Sequence, residues 1–152
     1  MTTTVDALAQ LLAIEEIKLL KSRYFRCLDT KDWAGFEQIF SADAVMDMRG
    51  EMRDGTTPGE GLTEGAAAIA AFVRGAVDHV TTVHHGHTPE ITLTGPDTAT
   101  GIWAMEDKLR WPEGYPLAGM HGYGHYHERY VKTADGWRIA HLRLSRLRVD
   151  VW

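Results

Sequence analysis

The hydrophobic periodicity of the chain changes once, near its middle, and this change restricts the possible folds more than any other feature of the sequence. Over residues 5–28 and 66–79, apolar side chains recur at spacings of three and four, which is typical of amphipathic helices. Over residues 81–151 no helical pattern returns, and four strand-like runs are predicted instead. The runs are separated by three turn signals, Gly95-Pro-Asp97, Pro112-Glu-Gly114 and Ala134-Asp-Gly136.

The segment between the two long helical patterns is predicted to hold a short helix, a short strand and a loop. Asp29 or Thr30 is placed to cap the short helix, whose apolar side chains begin at Trp33. Residues 44–48 have the pattern of a strand. Residues 49–61 contain four Gly and one Pro, which predicts a mobile loop.

Helices that precede a largely antiparallel set of strands indicate an α+β fold. We expect three N-terminal helices to pack on a strongly curved, mostly antiparallel sheet, forming a cone-shaped roll that encloses a pocket. The chain shows no repeat and no low-complexity tract, and 44% of its residues are hydrophobic. Residues 1–152 are therefore predicted to form a single domain with its own core.

The charge balance argues against two classes of partner. The formal net charge is -5, so neither nucleic acid nor an anionic membrane is an expected partner. Cys27 is the only cysteine, which excludes an internal disulfide. The first residues lack the basic start and apolar core of a secretory signal, and a cytoplasmic location is the default expectation.

Asp29 and His84 are not placed as ordinary surface residues would be. Asp29 closes the first helical pattern, where a carboxylate meets the negative end of the helix dipole at a cost of a few tenths to about 1 kcal/mol. Such a residue usually has a partner, and histidine is the natural one. An imidazole that is oriented by a carboxylate at one ring nitrogen presents the other as a general base near neutral pH. Capping of the second helix is the alternative role for Asp29.

The whole chain resembles the SnoaL-like branch of the nuclear transport factor 2-like superfamily. Within that branch it is most similar to the group of scytalone dehydratase, bile-acid dehydratase and hexachlorocyclohexane dehydrochlorinase. The three N-terminal helices and four segments carry the resemblance, namely RYFRCLDTKDW, DAVMDMR, TTVHHGHTPEI and GHYHERYVKTADGWRIAHLRLSRLRVD.

The resemblance implies which residues form the catalytic site. In all three enzymes an Asp that ends the first helix and a His that begins the first long strand form the catalytic pair, and Asp29 and His84 match them. Bile-acid dehydratase also has a catalytic Tyr five residues before its Asp, and Tyr24 stands at that spacing. A core Tyr with one hydrogen bond is the alternative for Tyr24.

Other positions are predicted to form the pocket wall. Where scytalone dehydratase has two Tyr and a second His, this chain has Leu28, Met48 and Trp103, so scytalone is a poor fit as substrate and the pocket is more apolar. By resemblance, Tyr126 also faces the cavity. One Arg of the last strand is expected to point inward and hold a substrate oxygen, and we choose Arg146; a solvated or subunit-facing cation is the alternative.

These residues suit the removal of water from a carbon β to a carbonyl group. That reaction needs a base for the α-proton, a donor for the developing enolate and a proton for the departing hydroxyl. His84 would be the base, Asp29 would fix its tautomer, and Tyr24 would donate to the enolate or the leaving group. The same groups serve a double-bond isomerisation. We therefore predict a cofactor-independent lyase or isomerase for a hydrophobic cyclic, polyketide-like or steroid-like substrate.

A non-catalytic role is the second class of function. Ligand-binding cones and the small β-subunits of ring-hydroxylating dioxygenases share this fold, and fold alone does not separate the classes. A structural subunit has no need for an imidazole and a carboxylate that face each other inside an apolar cone. The predicted pair therefore favours an enzyme.

The histidine content invites a metal interpretation. His85 and His87, and likewise His125 and His127, form His-x-His pairs that would put two imidazoles on one side of a strand. No third ligand has diagnostic spacing, and the helical first half does not suit the all-β folds that use this pattern. The sequence therefore predicts no metal site.

Strand alternation predicts an outer sheet face that is too apolar for solvent. We expect a homo-oligomer through this face, and we favour a trimer over a dimer because the similar dehydratases are trimers. The predicted outer face includes part of a set formed by Tyr123, His125, His127, Trp137, Ile139 and Leu147.

Overall fold

The computed structural model of the protein describes residues 4–51 and 61–152, with the helices largely preceding the strands. The helices are α1 (Thr4–Asp29), α2 (Trp33–Glu37) and α3 (Ala66–Val77). The strands are β1 (Phe40–Asp47), β2 (Leu62–Glu64), β3 (Thr81–Gly86), β4 (Glu90–Gly95), β5 (Thr98–Arg110), β6 (Gly119–Thr133) and β7 (Gly136–Val151). The predicted loop over 49–61 lies mostly on residues 52–60, outside the described residues.

The strands of the described residues form one open sheet in the order β2-β1-β7-β6-β5-β3, with β4 also paired to β5. β1 runs parallel to β7, and the other pairs are antiparallel. N-terminal helices thus pack on a large, curved, mostly antiparallel sheet, which confirms the predicted fold class. Across the described ranges, no helix combines the length and the apolar character needed to cross a membrane.

The first of the four predicted runs forms two strands, β3 and β4. Five strands therefore lie between residues 81 and 151, and the prediction of four is wrong. β3 pairs with β5 up to the Gly86–Met105 pair, and β4 resumes on the same strand at the Glu90–Ile102 pair. Pro89 lies between them and has no N–H to donate to a ladder. The chain therefore turns there and pairs again further along β5. The short strand β2 was not predicted.

The short helix α2 is capped by Asp32, not by Asp29 or Thr30 as predicted. The backbone N–H of Gly35 donates to Oδ1 of Asp32 at 3.0 Å. Asp29 is not the capping residue because it still belongs to α1, which ends there. Asp29 is therefore free of the capping role that was its alternative.

A bulge in β7 changes which of its side chains face the core. Tyr130 pairs with Ile139 and Arg129 pairs with His141, so Ala140 is skipped and the alternation shifts by one residue. Trp137 and Ile139 belong to the set from which the outer face was predicted to be formed, yet both are buried. The residues that follow the bulge, Leu142 and Leu144, point inward with them.

The bulge reduces the outer face that was predicted to mediate self-association, because Trp137 and Ile139 lie in the core. Tyr123, His125 and His127 are half-buried, and Leu147 is 76% exposed. We still predict a closed oligomer, with a trimer favoured over a dimer. Light scattering at micromolar concentration should give a mass about three times that of the chain, and Leu147→Glu should lower it. A monomeric wild-type protein would contradict this prediction.

Candidate active site

The C-terminal end of α1 and the start of β3 bring Asp29 and His84 together. Oδ1 of Asp29 lies 2.7 Å from Nδ1 of His84, and the backbone N–H of His84 donates to Oδ2 at 2.8 Å. The Thr82 hydroxyl donates to Oδ1 at 2.8 Å. We assign the imidazole proton to Nδ1 because its neighbour is a carboxylate, which leaves Nε2 unprotonated and able to accept a proton.

These hydrogen bonds set the charge of Asp29. Burial alone would raise the pKa of Asp29, but the hydrogen bonds from the side chain and backbone of His84 outweigh it and hold the pKa below its usual value. Asp29 is therefore a carboxylate at neutral pH. A carboxylate in this position fixes the tautomer of the imidazole and stabilises the imidazolium that forms on proton transfer.

The end of α1 supports this geometry through Lys31. The N–H of Asp32 donates to the carbonyl of Cys27 at 2.8 Å and that of Lys31 to the carbonyl of Leu28 at 3.3 Å, which is the Schellman pattern of a helix end. Lys31 occupies the left-handed position, with φ 61°, where glycine is usual. Its Nζ donates to the Thr82 hydroxyl at 3.0 Å. A cation thus reaches the hydroxyl that binds Asp29.

His84 lines a cavity of about 230 Å³ between α3 and the sheet. Tyr24, Asp107, Tyr126 and Arg146 contribute polar groups to it. Most of the remaining wall is apolar and includes Leu28, Met46, Met48, Phe72, Val73 and Leu109. A larger, shallower groove of about 870 Å³ lies between α1 and the turn after β4, and neither Asp29 nor His84 lines it. The smaller cavity is therefore the candidate active site.

Arg146 also lines this cavity, where two carboxylates hold it. Its Nη1 and Nη2 donate to Oδ1 and Oδ2 of Asp107 at 2.6 and 2.9 Å. Nη2 donates to Oε1 of Glu51 at 2.9 Å, and Nε donates to the other oxygen of Glu51. Burial alone would lower the pKa of Arg146, but the hydrogen bonds to Asp107 and Glu51 outweigh it and raise the pKa. The guanidinium is therefore a fixed positive charge.

Strand β6 leaves room for this ion pair at Gly122, which pairs with Asp107 in the sheet. A Cβ at Gly122 would lie 2.3 Å from both Nη1 of Arg146 and Oδ1 of Asp107, closer than side-chain atoms approach. Asp107 also pairs with His84 across β3 and β5, and its Oδ2 lies 3.9 Å from Nε2. The imidazole therefore lies between two carboxylates.

Tyr24 and Tyr126 are buried and hydrogen-bonded to each other. Burial is the main reason that the pKa of each phenol lies above its ordinary value. Both phenols therefore stay protonated at neutral pH. Tyr126 donates its single O–H to the Tyr24 oxygen, so the O–H of Tyr24 is the one that is able to donate to an oxygen in the cavity.

A buried ion pair lies against these phenols. Nζ of Lys21 is 2.5 Å from Oε1 of Glu128, and both side chains are fully buried. The same Nζ lies 3.7 Å from the ring centre of Tyr24 and 3.6 Å from that of Tyr126. Burial lowers the pKa of Lys21 to about 8 against the opposing effect of Glu128, so the ammonium stays charged at neutral pH. Tyr130 donates to the other oxygen of Glu128.

Breaking this ion pair should destabilise the fold strongly. Lys21→Met is expected to lower the free energy of unfolding by about 3–5 kcal/mol, because it leaves the Glu128 carboxylate buried without its cation. The double variant Lys21→Met/Glu128→Gln removes both charges and keeps an acceptor for Tyr130, so it should recover most of the loss. Urea denaturation measures both. Lys18→Met removes an exposed pair with Glu15 and should cost less than about 1 kcal/mol. A double variant as unstable as the single one would contradict the prediction.

The family model that matches this chain is that of the SnoaL-like domain, and it covers residues 9–143. The chain belongs to the SnoaL-like family. This membership confirms the family resemblance that the sequence indicated.

Relatives of this SnoaL-like chain carry the names of several activities. FGR4 of Gibberella zeae, provisionally named a cyclase, is 28% identical over 137 residues, which are 86% of this chain and 89% of FGR4. A protein of Novosphingobium aromaticivorans, provisionally named a scytalone dehydratase, is similar in structure with a TM-score of 0.82, 17% identity and coverage of 96% of this chain and 91% of that one. The hexachlorocyclohexane dehydrochlorinase LinA-type3 of Novosphingobium barchaimii has a TM-score of 0.78, 18% identity and coverage of 96% and 94%. At these identities the two solved structures show the shared fold.

Trp103 is the one predicted pocket residue that does not line the cavity. Its indole N–H donates to the Tyr130 hydroxyl at 2.8 Å, within the buried network around Glu128. Tyr24, Met48, Tyr126 and Arg146 do line the cavity, as does His84, which is bonded to Asp29.

Sequence reasoning missed Asp107, Glu51 and Lys21. A usable signal existed for Asp107, because strict alternation along β5 puts it on the same face as the buried Trp103 and Met105. Lys21 is buried with Ile17 and Tyr24, but a lysine there is normally taken as a solvated residue. No sequence pattern indicates that Glu51 reaches Arg146.

The His-x-His pairs do not converge in the structure. His87 lies beyond the end of β3, and His85 is bonded to Glu106 on the outer face at 3.3 Å. The rings of His125 and His127 are 6.3 Å apart. Among residues 4–51 and 61–152, no group of three or more His, Cys, Asp or Glu side chains is arranged to hold a metal ion.

Proposed function

We propose that this protein is a cofactor-independent lyase of the dehydratase type, or a double-bond isomerase, that acts through Asp29 and His84. One observation carries the proposal: His84 lines an apolar cavity while its Nδ1 is bonded to the Asp29 carboxylate at 2.7 Å. In that arrangement the Asp29 carboxylate fixes the tautomer of His84, so that Nε2 is able to act as a base. Tyr24 supplies a hydrogen-bond donor in the same cavity, and Tyr126 donates to the Tyr24 oxygen.

The proposed reaction begins with proton removal from the carbon next to a ketone. Nε2 of His84 takes the α-proton, Asp29 stabilises the resulting imidazolium, and the phenol of Tyr24 donates to the enolate oxygen. In an elimination, the C–O bond to the β-carbon breaks, and the hydroxide leaves as water with the proton held by the imidazolium. In an isomerisation, the same proton returns to another carbon. Oδ2 of Asp107 lies 3.9 Å from Nε2, on the side of the imidazole opposite to Asp29.

The cavity favours a compact substrate. About 230 Å³ is below the ~300–1,000 Å³ that is common for drug-sized ligands. The wall of Leu, Met, Phe and Val side chains is suited to a hydrocarbon ring. We therefore propose a cyclic or polyketide-like hydroxy ketone of one or two rings.

A ring closure is the second candidate reaction, and the sequence similarity to FGR4, provisionally named a cyclase, favours it. An aldol-type closure also begins with the formation of an enolate beside a carbonyl group, so it would use the same base and donors. It differs in that a second carbonyl carbon, not a departing hydroxyl, receives the electron pair.

A substrate screen tests the proposal. Cyclic β-hydroxy ketones and β,γ-unsaturated ketones of one to three rings are incubated with the protein, and the ultraviolet band of a new conjugated enone is followed. Open-chain diketones are included, and ring closure is followed by mass and NMR. Turnover that His84→Ala abolishes supports the proposal. Ligand binding without turnover throughout the panel would favour a binding module and contradict it.

A further inference from the structure

The guanidinium of Arg146 is saturated within its cavity. It has five N–H donors. Asp107 accepts two of them and Glu51 accepts two more, while Nη1 also lies 3.7 Å from the sulfur of Met105. Among the contacts of the described residues, Arg146 keeps no N–H for a ligand. The role predicted from the sequence, in which Arg146 holds a substrate oxygen, does not fit this geometry.

The charges around the cavity do not balance. Asp107 and Glu51 line it together with Arg146, and the Asp29 carboxylate lies directly behind His84. Among the described residues that line the cavity, two carboxylates and one guanidinium leave a surplus of one negative charge. The Asp29 carboxylate is not part of this surplus, because the ammonium of Lys31 lies near it. The ammonium of Lys21 does not offset this surplus, because it is paired with Glu128 on the far side of the two phenol rings.

We propose that the cavity selects uncharged ligands, and that Asp107 and Glu51 impose this selection by neutralising Arg146. A carboxylate or phosphate ligand would meet like charge without gaining a hydrogen bond from the guanidinium. A ketone or amide oxygen needs no cation and would accept a hydrogen bond from Tyr24. The inference depends on the proposed function only in taking this cavity as the substrate site. It narrows the substrate class to neutral hydroxy ketones and excludes acids and phosphate esters.

A pair of ligands with the same shape tests the selection. 2-Naphthamide and 2-naphthoate differ at pH 7.5 essentially in charge, and binding of each is measured by calorimetry. Wild-type protein should bind the amide more tightly by on the order of a hundredfold. Asp107→Asn removes one negative charge and frees a donor of Arg146, so it should strengthen naphthoate binding by on the order of tenfold or more while changing amide binding little. Glu51→Gln should act in the same direction.

The matched control is Asp150→Asn, because Asp150 accepts from Arg148 on the same strand at an exposed position outside the cavity. It should leave both affinities unchanged. Equal affinity of wild-type protein for the two ligands would overturn the proposal, as would an unchanged preference in both Asp107→Asn and Glu51→Gln. Failure of naphthoate to bind to either variant would also overturn it. Because the assay measures binding alone, its outcome is independent of whether His84 abstracts a proton.

Discussion

Replacement of His84 with alanine is expected to lower kcat by about a hundred- to ten-thousand-fold on the substrate that the screen identifies. The loss follows because His84 is the group proposed to remove the proton, while the cavity and its donors remain. Stopped-flow or ultraviolet assays at saturating substrate measure the effect, and thermal unfolding checks the fold. His85→Ala is the matched control, since His85 neighbours His84 but lies on the exposed outer face. Wild-type turnover in His84→Ala would transfer the chemistry to another residue.

Asp29→Asn is expected to cost nearly as much, on the order of a thousandfold or more in kcat. The amide keeps the size of the carboxylate but does not stabilise an imidazolium, and its NH₂ group favours the wrong tautomer of His84. Asp32→Asn is the control: Asp32 caps α2, and asparagine caps a helix nearly as well. A kcat loss confined to the Asp29 variant would support the assignment, whereas equal losses in both variants would point to disruption of the helix end.

The order of the helices and strands could be predicted because hydrophobic periodicity and turn-forming residues are local properties of the sequence. Helical spacing over residues 5–28 and the turn signals after β4, β5 and β6 depend only on neighbours in sequence. The break between β3 and β4 and the bulge at Ala140 depend on how two strands pair, which no single segment encodes. The error at Trp137 and Ile139 follows directly from that bulge.

The residues of the candidate site also fall into two groups: those that a local sequence pattern indicates, and those that only the folded sheet brings together. Asp29 and His84 are recognisable because each occupies an unusual place at the end of its own element. Asp107 and Glu51 become significant only through Arg146, which is 39 and 95 residues away from them in sequence. Contacts across that separation require the register of the folded sheet, so no local sequence pattern indicates the charge balance of the cavity.

The backbone hydrogen bond from His84 to Asp29 also affects the exposed edge of the sheet. β3 is an edge strand of the open sheet, and an edge N–H is a template on which another chain can add a strand. The Asp29 carboxylate occupies the N–H of His84 at this edge. The carboxylate that we propose to orient the base therefore also covers an N–H of this edge. Loss of the His84 side chain leaves this backbone hydrogen bond in place, whereas loss of the Asp29 side chain removes it together with the partner of the proposed base. Substitution of Asp29 is therefore expected to lower the solubility of the protein as well as the proposed turnover.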